Sequence, residues 1–413
     1  MDVKDVFGNQ YPDYKIVRYP KAGETNPTLK LFVWKVGDAD RKPVEPPQQV
    51  KDWGEYIYTI ADWTDSQVLS VTWMNRIQTE SIISECRDKG TAWECEMVFR
   101  ETVTDGWIEI EAAPIYNDGG DVFIQILASN QSDGRDWRHV ARINKTSGEK
   151  TFLTEGNFVA TSILSWQDGN IYFMGTRPGR PSSRQLYRVM EDGRKEAECV
   201  TCELRTTRGE LCESNSVEFN WAASYYVHTC LGQTIPESVL RTAADHSLVF
   251  VFEDNLDLER KLEKKSLPER IDTSVEVEGG FSAPVKIQLP PHMDEGVKYP
   301  VLVYVYGGPG SQQVTDSWSL GWGEYLVTSR NVIYVSIDGR GTGFQSNQHL
   351  FQVRRTDSGS VVMEQCSRST RGSGLWRLRT RSRSPGTLWR DTSTWTPTGS
   401  PSGAGATEGS PQR

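Results

Sequence analysis

Up to about residue 255, short apolar runs are separated by polar turn residues, and apolar positions do not recur every three or four residues over any long stretch. The runs 121–128 (DVFIQILA), 170–175 (NIYFMG), 185–190 (QLYRVM), 224–228 (SYYVH) and 247–253 (SLVFVFE) are rich in Val, Ile, Tyr and Phe. Asp-Gly, Asn-Asp-Gly-Gly and Arg-Pro-Gly separate them and supply the turns. This pattern predicts many short strands joined by tight connections. Long helical periodicity is scarce, so the region reads as all-β. A sandwich, a barrel or several propeller blades satisfy the pattern equally.

The texture changes after residue 255. Residues 256–267 (LDLERKLEKKSL) carry apolar groups at helical spacing among dense charge, and 283–289 (APVKIQL) returns to a strand. Two more uniformly apolar strands follow, 301–306 (VLVYVY) and 332–337 (VIYVSI). Such runs suit parallel strands covered on both faces, so an α/β domain is predicted to begin near residue 256. Between them, 315–328 reads as a helix or a loop bearing Trp318 and Trp322.

From about residue 354 the chain turns to Arg, Ser, Thr, Gly and Pro with no apolar period. Residues 354–413 contain ten Arg and no Lys against Asp357, Glu364, Asp391 and Glu408, a net of 10 − 4 = +6. A basic arm and a shifted reading frame both account for this composition.

The whole chain of 413 residues carries 46 Lys+Arg against 55 Asp+Glu, with 37% hydrophobic and 10% aromatic residues. That aromatic content excludes wholesale disorder, and the net charge of −9 offers no global field to attract nucleic acid. No run of about 18 apolar residues is present, so no membrane-spanning helix is expected. No cofactor motif is found either: the P-loop Lys-Ser/Thr pair and a full G-x-G-x-x-G are both missing.

Six of the seven cysteines fall in two groups, Cys86 with Cys95, then Cys199, Cys202, Cys212 and Cys230. An even, clustered set points to disulfides and an oxidising compartment. Zinc on the second group is the alternative, but Cys199-x-x-Cys202 has no second C-x-x-C, so no metal is expected. The sequons at Asn130 and Asn144 agree with secretion as glycosylation sites. The first fifteen residues contain no apolar stretch of a secretory leader, a conflict that a missing N-terminus would resolve.

The chemistry-bearing segments close the two apolar strands. Val305-Tyr306-Gly307-Gly308-Pro309-Gly310 lies at a strand's C-terminal end, where open α/β sheets place ligands and where a nearby hydroxyl can serve a developing oxyanion. Asp338-Gly339-Arg340-Gly341-Thr342-Gly343 ends the second strand. The histidines, His139, His228, His246, His292 and His349, stand in unrelated contexts, and no G-x-S-x-G elbow occurs. A plain turn is thus an open reading of the glycine-rich segment.

The segments 19–34 (YPKAGETNPTLKLFVW), 71–86 (VTWMNRIQTESIISEC), the CVTCEL group with Cys212 and Cys230, 305–312 (VYGGPGSQ) and 337–345 (IDGRGTGFQ) strongly resemble the dipeptidyl peptidase IV family of the prolyl oligopeptidase group of serine peptidases. The resemblance covers about residues 10–353. It implies a mainly β chain: the later blades of an eight-bladed β-propeller over 1–255, then the start of an α/β-hydrolase domain over 256–353. It further implies the bridges Cys86–Cys95, Cys199–Cys202 and Cys212–Cys230, and Tyr306 as the oxyanion donor. The implied substrates are peptides with Pro or Ala second, processed outside the cell or at its surface, with a homodimer as the candidate assembly.

Departures accompany the resemblance. The glutamates that grip a substrate amino terminus in this family belong to earlier blades, and the motif Gly-Trp-Ser-Tyr-Gly-Gly with its following Asp and His is absent. Read in the shifted frame, the codons of 401–409 accommodate Ile-Trp-Gly-Trp-Ser-Tyr-Gly-Gly, and 392–400 accommodate the segment that precedes it in the family. Residues 354–413, including Cys366, are therefore expected to be a frameshifted, disordered tail. The chain is expected to be inactive as written, with a non-catalytic propeller module that binds a protein partner as the alternative.

Overall fold

The computed structural model describes residues 16–110, 112–294 and 296–352, together with two short paired strands, Trp376–Arg377 and Thr394–Trp395. Apart from those two strands, the tail read over 354–413, with Cys366, lies outside the described residues. The chain divides into two compact units at Thr102/Val103.

In the first unit a six-stranded sheet runs in the order Leu31–Val33, Lys42–Glu45, Trp93–Thr102, Glu80–Asp88, Val68–Asn75 and Tyr56–Asp65. Its strand Val68–Asn75, next to the edge, is buried along almost its whole length, and Val71 and Trp73 face a core with Leu69, Ile82 and Trp93. The buried indole N–H of Trp73 donates to the Ser84 hydroxyl at 2.8 Å, which removes the cost of burying it unpaired. Cys86 and Cys95 are direct cross-strand partners and are bridged.

The second unit opens with three successive four-stranded antiparallel sheets, each built from consecutive strands. The first comprises Ile115–Tyr116, Val122–Asn130, Asp136–Asn144 and Lys150–Phe152. The second comprises Ala160–Gln167, Asn170–Arg177, Arg180–Met190 and Glu198–Cys199. The third comprises Asn215–Phe219, Tyr225–Cys230, Glu237–Thr242 and Leu248–Glu253. Repeated four-stranded meanders are the blades of a β-propeller, here a partial one. Each of the five runs predicted as strands is a strand, within a few residues at the ends.

Neighbouring blades explain why the middle strands are apolar on both faces. In Asn170–Arg177, Ile171 and Phe173 pack with Ile124, Val140 and Tyr187, whereas Tyr172 and Met174 pack with Val217 and Tyr226. Successive residues of a strand point to opposite faces, so one strand serves two blade-to-blade cores. Phe173 stacks on Tyr187 at 5.3 Å and is fully buried.

A helix, Leu256–Leu262, follows the last blade and buries none of its residues. It is shorter than the 256–267 segment predicted. A mixed sheet then forms in the order Glu269–Val277, Phe281–Leu289, Ile333–Ile337, Val301–Val305. The last two strands are parallel, with Val301 opposite Ile333, and the helix Trp322–Arg330 crosses between them. The expectation that both would be covered on both faces fails for Val301–Val305. Its Val301, Leu302, Val303 and Tyr304 are 41–50% exposed, and this strand is the edge of the sheet, with no described strand on its outer side. Ile333 and Ser336 on the inner neighbour are buried.

Candidate functional site

The site is built on the C-terminal ends of the two parallel strands. Residues 306–310 leave the end of Val301–Val305, and Tyr306 is 52% exposed. The loop folds tightly around its own carbonyl: Ser311 donates to the Gly308 oxygen from its N–H at 3.0 Å and from its hydroxyl at 2.6 Å. The phenol of Tyr306 lies back over this turn, so that a Cβ on Gly308 would sit 3.2 Å from the hydroxyl oxygen.

The second loop, 338–343, leaves the end of Ile333–Ile337 and is laced to the first. Gly310 N–H donates to the Gly341 carbonyl at 3.3 Å, and Gly343 N–H donates to the Ser311 carbonyl at 2.9 Å. A Cβ on Gly343 would lie 2.5 Å from the Gly310 carbonyl oxygen, so the approach of the two backbones requires glycine there. Asp338 secures the exit of the tyrosine loop. Its two carboxylate oxygens accept the N–H groups of Gln313 and Val314, each at 2.8 Å. Burial pushes the Asp338 carboxyl above the usual carboxylate range, against the pull of those two N–H groups and of Lys286.

A second carboxylate, Asp316, ties this segment to the blades. It is fully buried and accepts from Arg180 at 2.8 and 3.1 Å, from Ser182 at 2.9 Å and from Gln233 at 3.0 Å. Arg270, on the first strand of the mixed sheet, reaches it at 3.4 Å. Close by, Arg184 donates to Gln312 at 2.6 Å and stacks its guanidinium over Phe344 at 3.7 Å. The two loops are thereby held against two blades by charge-assisted bonds in a largely dry setting.

The blade side contributes Trp107, Glu109 and Arg138. Arg138 pairs with Glu109 at 2.8 Å, and a Cβ on Gly310 would lie 3.5 Å from a Glu109 oxygen, so this ion pair borders the tyrosine loop. Phe351 packs on Trp107 at 4.6 Å and against Gly106, where a Cβ would lie 2.2 Å from the ring, so the lack of a side chain makes room for it. A small cavity lined by Glu109, Gln125, Arg138 and Ser162 opens beside the pair.

The histidines are not gathered here. His139 is buried and bonded to Thr154 and the Gly156 carbonyl, and burial lowers it to about 4. His228 sits between Asn215 and Arg241 and is lowered to about 4, again mainly by burial. His246 touches the Tyr226 hydroxyl, and His292 is an exposed loop residue. His349 lies under the second loop, bonded to the Gly339 carbonyl at 3.0 Å, and burial lowers it to about 4.

Among the described residues the cysteines form the bridges Cys86–Cys95, Cys199–Cys202 and Cys212–Cys230. Asn130 and Asn144 lie at the ends of paired strands. Asn130 is exposed and donates to Asp136, whereas Asn144 accepts from the N–H groups of Thr146 and Ser147. Asp316 went unrecognised in the sequence because its partners lie up to 136 positions away. Asp338 was visible only as a charge at the end of an apolar strand. Among the described residues no helix is long and apolar enough to cross a membrane.

Residues 1–237 match the family model described as the dipeptidyl peptidase IV (DPP IV) N-terminal region. Among curated proteins, the chain is 32% identical over 363 residues to venom dipeptidyl peptidase 4 of Apis mellifera, covering 86% of this chain and 46% of that protein. It is 31% identical over 361 residues to dipeptidyl peptidase 4 of Felis catus, covering 84% of this chain and 46% of that protein. The solved structure of Porphyromonas gingivalis dipeptidyl peptidase 4 superposes with a TM-score of 0.69 at 21% identity, covering 84% of this chain and 46% of that one, and supports the fold alone. The chain spans just under half the length of the relatives it matches. With more than half of its residues inside that family model and its blades in the matching fold, the chain belongs to the dipeptidyl peptidase IV family of peptide hydrolases.

Proposed function

We propose that the chain carries the later propeller blades, over 1–255, and the first part of an α/β-hydrolase domain, over 256–353, of a serine exopeptidase that releases N-terminal dipeptides with Pro or Ala second. The observation that carries this reading is the pair of laced loops at the ends of two parallel strands, with Tyr306 half-exposed above them. In such a peptidase a serine attacks the peptide carbonyl, a histidine takes its proton, and donors stabilise the oxygen that gains charge. Tyr306, half-exposed at the strand end, is the group of this chain suited to the last role. Asp338 and Asp316 act through it, by holding the loop in place.

The same reading makes the 413-residue chain alone inactive. Its sequence contains no G-x-S-x-G elbow, and removing the nucleophile leaves only the small rate that binding provides. The three bridges and the two sequons support a protein of the extracellular space or cell surface. The test is hydrolysis of a Gly-Pro chromogenic substrate by the purified chain. No turnover is expected, and saturable turnover blocked by a serine-directed inhibitor would overturn the reading.

A further inference from the structure

The three disulfides differ in what covers them and in what else holds their segments. Cys86, Cys95, Cys212 and Cys230 are buried, none more than 9% exposed. Cys212 Sγ is further covered by the chain at Gly232, where a Cβ would come within 3.2 Å of the sulfur. Cys199 and Cys202 are both partly exposed and close a turn of three-residue separation, against 9 and 18 for the others. A bridge of so short a loop restrains the unfolded chain least, so opening it forfeits least.

The turn has its own supports. Cys199 pairs with Tyr187 across the blade edge, and Val200 N–H donates to the Leu186 carbonyl at 2.8 Å. The Thr201 hydroxyl accepts from Leu186 N–H at 2.9 Å and donates to Gln185 at 2.6 Å. Val200 and Thr201 are buried. With these bonds in place the two cysteines stay at bridging distance, 5.6 Å between Cα atoms, whether or not the sulfurs are joined.

We infer that Cys199–Cys202 is a thiol–disulfide exchange site of the folded protein, whose reaction partner is an accessible dithiol. A thiolate of the partner attacks one sulfur, the Cys199–Cys202 bond breaks, and a mixed disulfide forms while the other cysteine leaves as a thiolate and takes a proton from water. The partner's second thiolate then attacks the mixed disulfide, which releases the second cysteine and leaves the partner as its disulfide. Two electrons pass from partner to protein, and reoxidation reverses the sequence.

The test uses the full chain and dithiothreitol. Cys366 is first blocked with unlabelled iodoacetamide, reductant is then added, and samples are quenched with isotope-labelled iodoacetamide for peptide mass spectrometry, with far-UV circular dichroism in parallel. Cys199 and Cys202 are expected to label at least about tenfold faster than the other four, with the dichroism unchanged. Oxidised glutathione should then restore the bridge. Equal rates at all three pairs, or labelling of Cys199 and Cys202 only as the dichroism is lost, would overturn the inference. A chain with Cys199→Ser and Cys202→Ser should keep its dichroism and lose the fast phase, and persistence of that phase would also overturn it.

Discussion

Asn170–Arg177 and Val301–Val305 are both apolar strands, yet their environments are opposite. The first is buried from Ile171 through Thr176, with a neighbouring blade on each face. The second leaves four of its five side chains 41–50% exposed at the edge of its sheet. Apolar composition therefore reports that a strand is suited to cover on two faces, and the neighbours decide whether it receives that cover. The stability of the described fold accordingly rests on the blades, whereas the mixed sheet presents an open apolar edge prone to association.

The sharpest way to break this contrast is truncation on each side. Phe173→Ala should cost about 4 kcal/mol in urea unfolding, since it empties a fully buried, stacked position, whereas Val303→Ala should cost below about 1 kcal/mol. Equal costs would mean that the edge strand is covered after all. Next in size, Asp316→Ala should cost about 3 kcal/mol, because it leaves Arg180, Arg270 and Gln233 without their shared acceptor. Limited proteolysis of that variant should cut sooner between the last blade and the mixed sheet.

Acid sharpens the comparison by a smaller step. His139 and His228 in the blades, and His349 beneath the second loop, are held neutral to about pH 4 chiefly by burial. The unfolded imidazole binds a proton below its ordinary value of about 6.5, so between roughly pH 6.5 and 4 the unfolded state holds more protons and stability falls as pH falls. By pH 5 each group should remove about 2 kcal/mol, read as a drop in the urea midpoint from its value at pH 7.5. His228→Gln should flatten that slope. The smallest effect on folding is expected for Val303→Lys, within about 0.5 kcal/mol, yet it should reduce concentration-dependent light scattering by placing a charge on the open edge.

Much of the fold was legible in local pattern. The runs 121–128, 170–175 and 247–253 located strands of three different blades, because β-branched and aromatic residues bounded by turn residues mark a strand by residue type alone. The order of VYGGPG and DGRGTG after two apolar strands likewise marked the loops that the structure laces together. The opposite case is the Trp322–Arg330 helix, which is weakly patterned and buries only Val327, so its sequence left helix and loop undecided.

By itself the sequence determined the strand-rich character of the first 255 residues, the apolar parallel pair, and the placement of Tyr306 at a strand end. These depend on residue type and near-neighbour spacing, and so survive without knowledge of the fold. Only the tertiary structure decided that Asp316 gathers Arg180, Ser182, Gln233 and Arg270, that Asp338 props the tyrosine loop, and that Val301–Val305 stands uncovered. Those outcomes depend on segments brought together from distant parts of the chain, and burial or charge pairing at such distances has no local period by which it could be read.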